Sequence, residues 1–142
     1  MNAISEREAS IFACVVDTVV APEPLLPPVR ETDAAAFLDR WLSAAPRLNR
    51  IGLRALLHVA ELCPRALGAR GRLRQLPEAE RVKVLEALER HGNQHVRALL
   101  RLVKQIACLS YYGDDAVMLR LGYDAQANLK RGRELRAAEG RP

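Results

Sequence analysis

Catalysis by a short chain needs nucleophiles, bases or metal ligands held at close range, and few residues here are spaced for it. The three histidines, His58, His91 and His95, match no zinc signature. His91 and His95 stand four apart, but a predicted helix break at Gly92-Asn93 separates them. Cys14, Cys63 and Cys108 are odd in number, contain no CxxC pair and each lie in an apolar helical run, so they read as small buried core residues. No GxGxxG, Walker loop or G-x-S-x-G occurs, and the glycines of GARGR follow no strand. The adjacent acids Asp114 and Asp115 could share acid–base work. An Asp that follows glycine and precedes a helical segment more commonly caps that helix, its carboxylate accepting the free amide hydrogens of the first turn. The expectation is therefore no catalytic, cofactor-binding or metal residue in this chain.

Attention moves to SYYGDDAVMLRLGYD, residues 110–124, which holds all three tyrosines, Tyr111, Tyr112 and Tyr123, of a chain that is 4% aromatic. Tyrosine combines a rigid apolar ring with a polar tip, which favours interfaces. The alternative is inward packing with each hydroxyl bonded to backbone at a helix end, and the residues alone leave both readings open.

The net charge of +5 is unevenly placed. Residues 125–142 carry a net of +3, and Arg65 to Arg74 contribute four arginines and no acid, leaving the body slightly acidic. Basic segments of this kind suit an acidic protein surface or phosphate. The tyrosines do not interleave with the arginines as a stacking platform requires, and no helix pair reads as helix-turn-helix, so a nucleic-acid module is the alternative rather than the leading reading. The tail has only Leu129 and Leu135 as large apolar residues, too few to bury a helix on its own domain. It is expected to be disordered or ordered by a partner, with Arg131, Arg133 and Arg136 available to meet acids.

The elements that must position these residues are helical. Ser5 and Glu8 form a capping box, and Ile11, Phe12, Val15, Val16 and Val19 recur at three- and four-residue spacing, predicting a first helix that runs to about Val20. Pro22, Pro24, Pro27 and Pro28 end it in an extended surface crossing. Thr32 or Asp33 should cap a second helix carrying Phe37, Leu38, Trp41 and Leu42. Pro46 should open a third, with Leu48, Ile51, Ala55, Leu56, Val59 and Leu62 on its apolar face, which Pro64 should stop. A fourth helix follows Pro77, with Glu78 and Glu80 in its first turn and Arg90 and His91 in its last. Asn93 caps a fifth bearing Val96, Leu99, Leu100, Val103, Ile106 and Ala107, and a short sixth runs from Asp115 to Leu121. No clean strand alternation and no solenoid repeat is present. The fold class is thus all-α: a single domain over 1–124 of about five main helices plus a short C-terminal helix, followed by the basic tail 125–142. At 142 residues it can bury a core without disulfides or metals. The N-terminus lacks a basic n-region and no run spans a bilayer, so a cytoplasmic protein is expected.

Tyr111-Tyr112-Gly113-Asp114, Val117 and Leu121-Gly122-Tyr123 resemble the C-terminal signature of the gluconate 2-dehydrogenase subunit 3 family, where a Tyr-x-Asp step, a short helix and a Leu-Gly-Tyr close a small all-helical protein. Ile4-Ser5-Glu6-Arg7-Glu8, Asp17-Thr18-Val19-Val20-Ala21-Pro22, Phe37-Leu38-Asp39 and Leu76-Pro77-Glu78-Ala79-Glu80-Arg81 resemble it in order. The resemblance implies a cofactor-free companion of a larger FAD-dependent oxidoreductase of the glucose-methanol-choline type, with FAD on that partner and none here. It also implies support for the partner's folding, stability or assembly. The twin-arginine export signal of many such subunits is missing, which points to a cytoplasmic complex with an alcohol-, sugar- or sterol-type enzyme. The residues expected to meet the partner are Tyr111, Tyr112, Tyr123, Leu129, Arg131, Arg133, Leu135 and Arg136.

Overall fold

Helix α1 (Glu6–Val20) starts where its capping box requires. The Ser5 hydroxyl accepts from the Glu8 amide, while the Glu8 carboxylate accepts from the Ser5 amide at 2.8 Å. This computed structural model describes residues 3–138 apart from 67 and 69, and among them the chain forms seven helices and no strand. After α1 come α2 (Ala34–Ala44), α3 (Arg47–Ala66), α4 (Glu78–Glu89), α5 (Gln94–Tyr112), α6 (Asp115–Arg120) and α7 (Ala125–Ala138). The chain is an all-α single domain, as expected.

α5 is the central element and packs against α1, α2, α3 and α4. Its Leu100, Val103, Ile106, Ala107 and Tyr111 join Ile11, Phe12, Val15 and Val16 of α1 in one core with Leu38 and Leu42 of α2. Val84, Leu85 and Leu88 of α4 belong to it too, as do Leu53, Leu56, Leu57 and Ala60 of α3. The proline segment is non-helical and delivers Val29 to the core through a 3-10 turn at Val29–Glu31. A second such turn, Leu73–Gln75, anchors the arginine-rich connection through buried Leu73 and Leu76. Among the described residues, no helix is long and apolar enough to cross a membrane.

Several expectations fail for identifiable reasons. Pro64 does not stop α3, which continues to Ala66 with Pro64 inside and buried. A proline removes one donor and crowds one carbonyl, and one further half-turn is a small extension beyond that defect. The face of α3 also differs. Leu53, Leu56, Leu57 and Ala60 are buried, whereas Leu48, Ile51, Val59 and Leu62 lie in solvent with Ala55. Leu56 alone of the six expected residues enters the core. Neither Thr32 nor Asp33 caps α2 by side chain: the Thr32 hydroxyl donates back to the Val29 carbonyl, and the Asp33 carboxylate, at the N-cap position, accepts from no first-turn amide and lies 3.9 Å from Arg40. α4 ends at Glu89, so Arg90 and His91 follow it instead of filling its last turn. The cysteines are half-buried rather than fully enclosed.

Two buried carboxylates join the bundle. Glu8, 1% exposed, receives Arg54 of α3 at 2.8 Å and lies 3.2 Å from the His58 ring. Burial opposes its ionisation, but the Arg54 guanidinium and the Ser5 donors outweigh burial and lower its carboxyl to about 2. Glu61, fully buried, is held by Arg74 at 2.9 Å, and Arg74 also reaches Ser10 of α1.

Candidate partner-binding surface

The stretch 110–124 folds into a corner that local sequence rules explain step by step. Asp114 caps α6 through one carboxylate oxygen, accepting from the Ala116 amide at 2.9 Å. Its other oxygen accepts from the Asp33 amide at 2.9 Å and so ties the start of α6 to the start of α2. Val117 seals the short helix to the core. The end of α6 is a Schellman stop, with the Tyr123 amide donating to the Met118 carbonyl and the Gly122 amide to the Leu119 carbonyl. Gly122 takes φ +77°, a left-handed conformation that a side chain would strain. Asp124 then caps α7, accepting from the Gln126 and Ala127 amides.

Tyr111 is a core residue. It is fully buried, and its hydroxyl donates to the Pro27 carbonyl at 2.7 Å, fixing the proline segment against the end of α5. Burial pushes its hydroxyl pKa up, helped by neighbouring Tyr112 and Asp114. It therefore offers no surface to a partner, and its place among the expected contact residues is corrected on that ground. Tyr112 meets it edge-on, ring centroids 5.2 Å apart, and is itself exposed. Tyr123 is exposed beside Leu119 and Leu121, so the corner turns four large apolar side chains outward. Tyr123 and Leu119 line a cleft of about 200 Å³ with Asp115, Met118, Asp124 and Gln126. Ligand clefts generally run from about 300 Å³ upward, so this one suits a protruding side chain better than a cofactor.

The tail is helical over Ala125–Ala138. Asp124 supplies its cap, and Ala, Leu, Lys, Arg and Glu favour helix over coil. Leu129, Arg131, Arg133, Leu135 and Arg136 are all exposed. Helical spacing groups Leu129 with Arg133 and Arg136 on one face and sets Leu135 with Arg131 on another, so these five do not share one face.

Among the described residues, no group of three or more His, Cys, Asp or Glu is placed to hold a metal ion. Cys14 lies 3.5 Å from an Arg81 nitrogen, but burial outweighs that cation and pushes the thiol pKa up, away from a nucleophilic thiolate. A groove of about 520 Å³ between Val19 and Leu109 is wide open, and its cation Lys104 is already paired with Glu89. The sequence reading allowed an inward Tyr111 bonded to backbone and a capping Asp114, but did not identify the long-range partners Pro27 and Asp33. The only trace of these two bonds in the sequence is that a core tyrosine and a capping aspartate sit three residues apart, facing partners six residues apart.

No family model, curated protein or solved structure matches this chain.

Proposed function

We propose that the chain is a non-catalytic helical subunit that binds a larger FAD-dependent oxidoreductase of alcohol, sugar or sterol type in the cytoplasm and supports its stability or assembly. The observation that carries the binding role is the corner itself. Two hydrogen bonds, to Pro27 and Asp33, pin it to distant parts of the chain, and it turns Tyr112, Leu119, Leu121 and Tyr123 outward. Exposed apolar side chains on a fixed scaffold are the makings of an interface anchor. The partner class rests on the resemblance of Tyr111-Tyr112-Gly113-Asp114, Val117 and Leu121-Gly122-Tyr123 to the gluconate 2-dehydrogenase subunit 3 family. FAD belongs to that partner and no cofactor to this chain.

The test is purification of the tagged chain from its source cells. A yellow complex with a larger flavin-bearing protein is expected, weakened by Tyr112→Ala with Tyr123→Ala. A colourless single chain at every step would refute the reading.

A further inference from the structure

We propose that the outward face of α3 is a second docking surface, built for one amphipathic helix of a partner protein that carries acidic side chains along one flank. Leu48, Ile51, Ala55, Val59 and Leu62 are all exposed and follow one another at spacings of three and four residues. At about 1.5 Å per residue they draw a straight apolar line of about 21 Å on the 20-residue helix. The line is narrow, spanning about 80° of the helix circumference, which is the width of a helix–helix seam rather than of a core-facing stripe. Leu48 is 83% exposed and Ile51 64%, so these side chains form an unpartnered ridge.

Charge selects the occupant. Arg47 and Arg65 flank one edge of the ridge near its two ends; Arg54 and His58 lie between them but are engaged by Glu8 of α1, and the only acid on α3, Glu61, is buried away from the ridge and held by Arg74. Arg47 and Arg65 have no ion-pair partner among the described residues. An antiparallel second copy would lay this arginine edge against its own equivalent, and the basic α7 would meet the same repulsion. A membrane-surface helix generally brings bulky aromatics on its apolar face and basic residues on both flanks; this ridge has no aromatic and one basic edge. A partner helix with leucines on its seam and glutamates on the flank facing the arginines satisfies both features. The assignment does not depend on the partner carrying flavin.

The test uses the full chain and two synthetic peptides of about three heptads, both with leucine seams, one with Glu and one with Lys at the flanking positions. Titration is followed by isotope-edited NMR. Perturbations centred on α3 and at least about tenfold tighter binding of the Glu peptide are expected, with the preference shrinking as salt rises. Ile51→Ser should abolish binding while leaving the thermal unfolding midpoint unchanged, since the side chain is exposed. Arg47→Glu with Arg65→Glu should reverse the preference toward the Lys peptide. Equal affinity for both peptides, no perturbation on α3, a homodimer dissolved by Ile51→Lys, or Ile51-dependent binding to phosphatidylserine vesicles would each overturn the proposal. Failure here with an intact flavin-bearing complex would remove the ridge and leave the proposed function standing.

Discussion

Replacing Glu8 by Gln tests whether the charge at the head of α1 holds that helix to α3. The Glu8 carboxyl lies at about 2 in the folded chain against an ordinary 4.5. A folded value below the unfolded one means that ionisation stabilises the fold above pH 4.5, and that this stability is lost as pH falls through 2. The shift corresponds to about 3 kcal/mol at neutral pH, most of it still present at pH 4.5, about half or less at pH 3 and little at pH 2. Glu8→Gln removes the charge without changing shape, and Arg54, whose side chain is 45% exposed, can turn to water. The variant should therefore be about 3 kcal/mol less stable than the native chain at pH 7 in urea denaturation, with an unchanged m value. The difference should narrow to about half by pH 3. Parallel pH profiles for the two proteins would refute the reasoning, because they would show that ionisation of Glu8 is not coupled to folding.

Arg74→Ala leaves Glu61 buried with no cation and should destabilise by about 3–5 kcal/mol at neutral pH in the same assay. Tyr111→Phe deprives the Pro27 carbonyl of its donor and should cost about 1 kcal/mol, with no loss of partner binding beyond what that stability change explains. Gly122→Ala, at φ +77°, should cost about 1 kcal/mol by straining the stop of α6, read as a lowered melting midpoint. Tyr112→Ala with Tyr123→Ala should shift the urea midpoint little and weaken the proposed flavoprotein complex, separating surface from scaffold.

The comparison of α1 with α3 shows what the sequence can and cannot resolve. In α1 the capping box, the apolar period and the terminating prolines agree, so start, face and end are all legible. In α3 two apolar stripes compete, Leu48-Ile51-Ala55-Val59-Leu62 and Leu53-Leu56-Leu57-Ala60, and periodicity alone cannot choose between them. The buried stripe includes Glu61, which a sequence reading places in water. Only Arg74, thirteen residues away, makes its burial tolerable. Gly52 leaves room for the Leu99 side chain of α5, to which a Cβ there would come within 3.2 Å. The corner divides the same way. Its caps and glycine stop are local and were readable, whereas the roles of Tyr111 and Asp114 depend on Pro27 and Asp33, which only the tertiary fold brings close.

Where charge lies, more than how much there is, separates the two readings of a basic chain. Arg54, Arg74 and Arg81 are tied to Glu8, Glu61 and Asp17 within the bundle, and Arg90 and Lys104 to Glu86 and Glu89. Binding to a phosphate backbone draws its affinity from cations that neutralise phosphates and release counterions, and side chains already paired with carboxylates contribute little to that. Arg74, which the sequence placed in a free basic connection, is among those withdrawn. Arg47 and Arg65 beside the α3 ridge, and the cations of α7 beside Leu129 and Leu135, sit next to exposed apolar side chains. An arginine beside leucines can meet a carboxylate in two parallel hydrogen bonds while the leucines exclude water around the pair. That arrangement suits an acidic protein surface better than a phosphate backbone, and it is why the positive charge supports the proposal of a protein partner over a nucleic-acid one.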